Sequence, residues 1–313
     1  MNVEVVGGGE LTAGLKQRWS ELQESDPKFA SPYLCPDFTA AAAAVRDDVH
    51  VGILHEDGEI VGFFPFQRAG DDGTVVAEGV SDYQAVIVAP GVRWTAEELL
   101  RASGLRSWSF TYLIAGQEPF RPFHNQHFTC AAMDLSRGYA GWVEERRAAG
   151  SRLIKDTGRH RRRLEHEAGP LRFELHVEDR AVLHQLMQWK TAQYLRTGKT
   201  DWFAISWVRD LLEALHATQT ERFSGLLSAL WAGDRLVAAH FGIRSRRVWH
   251  WWYPAYDRSF ARDSPGLILD LWMAEQASRL GIERIDLGKV CEHKARLMSA
   301  TYELARGCAR IQA

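Results

Sequence analysis

Cysteine is scarce. The 313-residue chain has four, Cys35, Cys130, Cys291 and Cys308, and none stands in a C-x-x-C pair. Scattered singly through a long chain, they argue against a disulfide scaffold or a cysteine zinc site and fit a reducing compartment. Charge of one sign is also lacking: 38 Lys and Arg face 40 Asp and Glu, for a formal net charge of -2. The whole surface is therefore no polyanion sponge, and any basic site must be local. No apolar run approaches the roughly 20 residues that span a bilayer. The opening MNVEVVGGGELTAG has neither the basic nor the apolar region of a secretory leader. These absences set the expectation of a cytoplasmic protein without a membrane span. A Ser-His-Asp arrangement, a cluster of metal ligands, a P-loop and a G-x-G-x-x-G opening a helix are missing too, so no metal is expected. The early GGGE reads as a loop.

What is present points to two packed α/β domains. The length exceeds one ordinary domain, and 46% of the residues are apolar. Leu15, Trp19 and Leu22 have helical spacing, and PDFTAAAAAVRD reads as a second helix with Pro36 at its start and Asp37 as cap. VHVGILHEDGEIVGFFPFQR reads as a hairpin turning at Asp57-Gly58. GTVVAEG and YQAVIVAPG are strand candidates, TAEELLRASG a helix ending at Gly104, and SWSFTYLI a strand. The charged stretch 139–170 reads as a basic helical connector, broken near Gly158 and stopped by Gly169-Pro170.

The second half repeats the plan. VEDRAVLHQLMQWKTAQYL and WVRDLLEALHAT read as helices, FSGLLSALWAGDRLVAAHFGIRS as a hairpin at Gly233-Asp234, and RRVWHWWYPAY as a strand. SPGLILDLWMAEQASRLG is a helix, ERIDLG a strand, and EHKARLMSATYELA a last helical stretch. LHEDGEIVGFF and LWAGDRLVAAH superpose without a gap at an offset of 176 residues, which suggests a duplication. The expected domains are 1–138, a connector 139–170, and 171–313.

Ser264-Pro265-Gly266 carries the clearest chemistry. Ser is a favoured N-cap, Pro suits the first helical position, and Gly admits close approach to the backbone. The free N–H groups and positive dipole end of such a helix suit a pyrophosphate or carboxylate, with Arg258 and Arg262 just upstream. Candidate bases are His240 and His250 on strands and Asp257 at the loop. Glu292 and Lys294 follow the last core strand, at the crevice outside the strands' carboxyl ends. Lys190 and Tyr194 are one helical turn apart. Twelve tryptophans, with Trp249, Trp251 and Trp252 clustered, either pack the core or wall a cleft. The basic run Arg152, Lys155, Arg159, Arg161, Arg162 and Arg163 is either a solvated helix face or an anion site.

The run PAYDRSFARDSPGLILDLWMAEQASRLGIERIDLG resembles the second domain of two-domain N-acetyltransferase (GNAT)-like proteins. These include cellulose-biosynthesis-type acetyltransferases and, more distantly, Fem-type aminoacyltransferases. WKTAQYLRTGKTDWF resembles their segment before the second domain, and SDYQAVIVAPG their first-domain motif, with Asp82 and Tyr83 at matching places. The family usually follows Asp-Leu-Gly with a second Gly and an aromatic-Lys pair. Here DLGKVCEHK keeps Lys294 but has Val290 and His293 in the other two places.

The resemblance implies tandem GNAT-like domains, each a mixed, mostly antiparallel sheet flanked by helices. It implies direct transfer from acetyl-CoA or another acyl-CoA to an amine, the oxyanion held by a backbone N–H where the strand splays at Trp252–Tyr253. On this reading Trp252, Tyr253, Arg258, Arg262, Ser264, Pro265 and Gly266 hold the donor. Asp82, Tyr83, Lys190, Tyr194 and Trp251 meet a small-molecule acceptor, and His240, Tyr253, Asp257, Glu292 and Lys294 are the catalytic candidates. Two alternatives remain: a Fem-type enzyme with a tRNA-borne acyl group, and a non-catalytic binding protein that keeps the fold.

Overall fold

The computed structural model describes residues 2–311, the side chain of His293 excepted. The chain packs as two units: residues up to Thr129 together with those from Tyr302 onward, and Cys130–Thr301. This division differs from the expected one, because the last strand returns to the first unit.

Among the described residues the first unit contains β1 (Asn2–Gly7), α1 (Ala13–Ser25), α2 (Pro36–Ala43), β2 (Val49–Glu56), β3 (Glu59–Ala69), β4 (Asp72–Thr74), β5 (Ile87–Val88), α3 (Ala96–Ala102), β6 (Ser107–Ile114) and the start of β7 (His124–Asp134). The chain continues in the second unit through α4 (Gly138–Ala148), α5 (Leu153–Ala168), β8 (Leu171–Glu174), α6 (Arg180–Thr197), α7 (Ser206–Ala217), β9 (Ser224–Ala232), β10 (Arg235–Arg244), β11 (Val248–Tyr256), α8 (Pro265–Arg279), β12 (Arg284–Lys289) and α9 (Glu292–Ala295). It then enters β13 (Ala300–Arg310). No helix among the described residues is long and apolar enough to cross a membrane.

Local chemistry explains most boundaries. Thr12 Oγ1 accepts from Leu15 N to start α1, which buries Trp19 and Leu22. The Trp19 ring stacks on Phe63 at 4.8 Å, and its Nε1 donates to the Leu34 carbonyl. Pro36 opens α2, but Cys35 is the cap and Asp37 lies inside the first turn. Asp57 and Gly58 both have positive φ, 50° and 84°, the backbone a two-residue hairpin turn requires.

The repeat is legible in hydrogen-bond register. In the first hairpin Leu54 faces Gly62 while His55 faces Ile60, leaving Val61 as a bulge. In the second, Leu230 faces Ala238 while Trp231 faces Leu236, leaving Val237 as the bulge. The two bulges stand 176 residues apart, the offset of the sequence match. The same offset carries Arg68↔Gly73 onto Arg244↔Trp249. It also carries the three-residue strand Asp72–Thr74 onto Val248–His250, and each of these runs pairs in parallel with the strand beyond the next helix, β6 or β12. A shared bulge and two shared ladders are far stronger evidence of duplication than alternation alone, which any hairpin shows.

Four expectations change. The connector breaks at Gly150, where φ is +76°, and α5 runs unbroken through Gly158. GTVVAEG and YQAVIVAPG supply only the short β4 and β5. The stretch from Glu292 holds one helical turn, after which residues 300–310 are strand. There β13 pairs antiparallel with β6, Leu304 facing Ile114 and Ala309 facing Trp108. Ala, Leu, Glu and Arg favour helix in isolation, but pairing and burial against an existing strand override propensity.

Gly307 fixes that docking. A Cβ there would lie 2.1 Å from the Phe123 carbonyl oxygen and 2.7 Å from the Phe110 ring. Gly307→Ala is expected to destabilise the protein by at least about 2 kcal/mol in urea denaturation. Gly9→Ala, with nothing within 4 Å of the added carbon, should change it by less than about 0.5 kcal/mol.

Candidate active site

The site is organised by β11 and α8. The sheet of the second unit runs β7 (residues 130–134), β12, β11, β10, β9, β8. Within it β11 and β12 are parallel, so α8 must cross over between them. Their registered ladder is short, from Val248↔Arg284 to His250↔Asp286. Past that point β11 continues along β10 through a bulge: Phe241 faces Tyr253 and Gly242 faces Trp251, so Trp252 is the extra residue. The splay expected at Trp252–Tyr253 thus begins one residue earlier, at Trp251. Gly242 is required here, because a Cβ would lie 2.5 Å from the His250 carbonyl.

The loop after β11 is tightly built. Asp257 caps a 3-10 turn over Arg258–Asp263, accepting from Ser259 N at 2.9 Å, and pairs with Arg235 at 3.3 Å. Partial burial would raise its pKa, but these hydrogen bonds and the Arg235 charge outweigh it and hold the carboxyl low. Asp257 is therefore a committed acceptor that anchors the loop, a poor base. Asp263 is buried and bonded to Nε of Arg163, whose other arm reaches the Arg262 carbonyl. One member of the basic run is thereby a clamp from α5 onto the loop.

Ser264 takes a left-handed backbone, φ 51° and ψ 51°, and its side chain makes no capping bond. This corrects the expected hydroxyl cap: the left-handed turn itself redirects the chain into α8, with Pro265 at the first position. The first turn of α8 holds no acidic residue. At Gly266 an added Cβ would meet only the Tyr256 ring, at an ordinary 3.7 Å. Tyr256 and the exposed Arg258 also line a cavity of about 260 Å³ against α6, with Trp189, Gln193 and Arg196 opposite.

A second group of residues gathers on α6. Lys190 is 7% exposed; its ammonium donates to Gln193 at 2.9 Å and lies 4.9 Å from the Tyr194 ring centre. Burial, reinforced by the charges of Lys199 and Lys294, depresses its pKa to about 8. The Tyr194 ring stacks near Phe203, which meets Tyr253 edge-on at 5.0 Å, and Tyr253 stacks on Trp252 at 4.8 Å. Four residues expected at the site, Lys190, Tyr194, Trp252 and Tyr253, are thus linked through Phe203, which the sequence reading missed.

Other candidates fare differently. His240 is 1% exposed, and burial, with His250 and Lys190 nearby, pushes its pKa down to about 3. So low a proton affinity leaves little drive to take a proton from an amine at neutral pH, which argues against a proton-accepting role. Trp251 is buried in the core, edge-on to Trp249 at 6.3 Å and to His240 at 5.4 Å. Glu292 is exposed in the single turn of α9, and Lys294 Nζ donates to the Lys289 carbonyl at 3.4 Å. The side chain of His293 lies outside the described residues. Asp82 and Tyr83 belong to the first unit, where Asp82 is half-buried and the buried Tyr83 donates its hydroxyl to the Lys28 carbonyl at 3.3 Å. Asp270, also missed, is buried on α8 one turn past Gly266, and burial alone pushes its pKa up to about 7. A lone Asp inside LILDLWM was the available signal. No group of three metal-ligating residues occurs among the described residues.

Residues 151–295 match the sequence profile of the family described as acetyltransferase (GNAT) domain. No curated protein matches the chain. Solved structures resemble its full length. The tandem GNAT protein of the clavulanic acid biosynthesis pathway, solved without AcCoA, is 14% identical at a TM-score of 0.53 and covers 100% of this chain and 99% of its own. FemX is 11% identical at 0.61, covering 99% and 97%. L-PGS from Bacillus licheniformis is 12% identical at 0.56, covering 95% and 92%. At these identities the likeness establishes fold: the chain is an α/β protein of tandem GNAT-like architecture, and residues 151–295 are similar to the GNAT acetyltransferase domain.

The depressed pKa of Lys190 has a stability consequence. The unfolded lysine titrates near 10.5 and the folded one near 8, so protonation below pH 8 works against the folded state. Stability should rise as pH climbs from 8 to 10.5. Lys190→Met is expected to stabilise the protein by roughly 1–3 kcal/mol at pH 7, with the gain fading towards pH 10 in denaturant titrations.

Proposed function

We propose that the protein is an acyl-CoA-dependent N-acyltransferase acting in the cytoplasm. It transfers an acyl group, acetyl in the simplest case, to an amine on an envelope sugar, a lipid-linked precursor or a specialised metabolite. The observation that carries this reading is the open start of α8. A strand leaves its parallel neighbour, bulges, and delivers the chain to a helix whose first turn has no side-chain cap and no acidic residue. Such an end attracts phosphate through free N–H groups and the helix dipole. Arg258 and Arg262 add charge at the same loop, and the Arg163–Asp263 bond holds it in place.

The reaction needs three things from the chain. The thioester must lie along β11 past its registered ladder with β12, so that a strand N–H can turn to the developing oxyanion. The amine must be held near Tyr253, with its lone pair free. Its proton must be taken as the C–N bond forms and the thiolate departs. Lys190, neutral in part near pH 8, has the chemistry for that last role; His240 and Asp257 do not. In the second unit Tyr194 stays assigned to acceptor recognition, and Glu292 and Lys294 to the loop beside the reacting groups; Asp82 and Tyr83 of the first unit stay acceptor candidates in their own right.

A second reading, a tRNA-borne acyl donor, is favoured by one observation. Lys199, just past the end of α6, and Lys294 of α9 both act electrostatically on Lys190. Local positive charge of this kind suits a polyphosphate backbone as well as a smaller anion.

Calorimetry separates the readings. Wild type should bind CoA and acetyl-CoA. Gly266→Glu should weaken both at least about tenfold while the fold persists, since the position has room and Glu suits a helix's first turn. Equal affinity in the variant would place the donor elsewhere. No CoA binding by wild type would move the assignment to a tRNA-borne donor or a non-catalytic role.

A further inference from the structure

Among α4, α5, α8 and the edge strand β8 lies a cavity of about 150 Å³ that plays no part in the proposed reaction. Its floor is apolar, with Ile268 and Leu271 buried and Ile154 and Trp272 half-buried. Cavities of this volume hold a benzene-sized molecule. The Trp272 ring is stacked at 5.2 Å on Phe173, which also lines the cavity.

Three polar features line the same space. Thr157 is 5% exposed, lines the cavity, and its Oγ1 is buried with no hydrogen-bond partner. Leaving such a hydroxyl unsatisfied costs about 1–3 kcal/mol. Arg161, one turn further along α5, lies 5.4 Å from the Phe173 ring centre and forms no ion pair among the described residues. On the opposite wall Glu275 pairs with Arg279 at 2.6 Å and acts on the Tyr139 hydroxyl, whose pKa burial raises to about 12 with help from that carboxylate. One wall thus offers a hydroxyl and a guanidinium, the other a carboxylate and a phenol.

Gly158 completes the argument. It sits in the interior of α5 in ordinary helical backbone, where glycine costs about 1 kcal/mol relative to alanine. No backbone strain requires it, and a Cβ there would meet only the end of the Arg162 side chain, at 3.8 Å. Gly158 itself lines the cavity, and a longer side chain there would have open space to enter.

We propose that this cavity is a binding site for a free aliphatic amino acid. The α-carboxylate is held by Thr157 and Arg161, the ammonium by Glu275 and Tyr139, and the side chain rests on Ile268 and Leu271. Hydroxyl, guanidinium and carboxylate around an apolar floor match a zwitterion with a small hydrocarbon tail better than a purely anionic or neutral ligand. The site is independent of the acyl-donor end, although α5 also carries Arg163, which grips the loop before α8.

Calorimetry on the full chain with L-leucine, 3-methylbutanoate and 3-methylbutylamine tests this. L-Leucine should bind, and each single-charge analogue should bind at least about tenfold more weakly. Gly158→Leu should abolish leucine binding while leaving the circular dichroism spectrum intact and the melting temperature no lower, because leucine is the better helix former. Thr157→Val should weaken binding at least about threefold. Absence of leucine binding at roughly 10 mM, equal affinity for all three ligands, or unchanged leucine affinity in Gly158→Leu would each overturn the proposal. Acyl-donor binding does not enter any of these outcomes, so they stand apart from the fate of the acyltransferase reading.

Discussion

The parallel pairing of β11 with β12 governs the rest of the second unit. Antiparallel neighbours can be joined by a two-residue turn, as β9 and β10 are; parallel ones cannot. The chain must therefore cross over the sheet, and α8 is that crossover. A right-handed crossover places the helix start beside the carboxyl end of the strand that precedes it. The open end of α8, the loop arginines and the stretch of β11 past its ladder with β12 are brought together by this single topological requirement. The bulge at Trp252 then turns the strand so that Tyr253 joins the aromatic group beneath Lys190.

Around that frame the protein keeps ionisable groups where they cost stability. Lys190, His240 and Asp270 are each nearly buried, and each has its pKa moved in the direction that disfavours charge. The three are not equivalent. A histidine that releases its proton near pH 3 behaves at neutral pH as a polar packing residue. A lysine near 8 and a carboxyl near 7 stand at the border of their charge change, where a bound ligand can tip either of them. How far each pKa lies from neutrality separates the two residues suited to chemistry from the one suited to packing.

Elements whose signals are local were legible in the sequence: the Asp57-Gly58 and Gly233-Asp234 turns, the Pro265 helix start and the Gly104 stop after α3. What eluded it depends on distant partners. β13 reads as helix by composition and becomes strand because β6 offers it an edge. Gly158 reads as a breaker, yet helical backbone tolerates glycine, and only the cavity beside it gives the residue a reason. Lys190, Tyr194, Trp252 and Tyr253, which ring contacts link through Phe203, were named as candidates from spacing and resemblance. The Arg163–Asp263 bond and Phe203 were not, because both act through contacts that sequence spacing does not encode. Trp251 was placed at the substrate from its position in a tryptophan cluster; alternation along a strand sends neighbours to opposite faces, and Trp251 shares the core face with Trp249.

The duplication itself argues for where the donor binds. The registers coincide from β2 to β4 and from β9 to His250 of β11, and α3 corresponds to α8 as the crossover between parallel strands. At that point the halves part. β4 stops at Thr74, the equivalent of His250, whereas β11 runs on for six residues past its ladder with β12. The start of α3 is closed by a capping box: Thr95 Oγ1 accepts from Glu98 N while the Glu98 carboxylate accepts from Thr95 N, and Glu97 and Glu98 fill the first turn with negative charge. A phosphate would find its N–H groups taken and two carboxylates in its path. The start of α8 has neither obstacle. Two copies of one plan have thus diverged where an anion would bind, and only the second keeps both an extended strand edge and an open helix end.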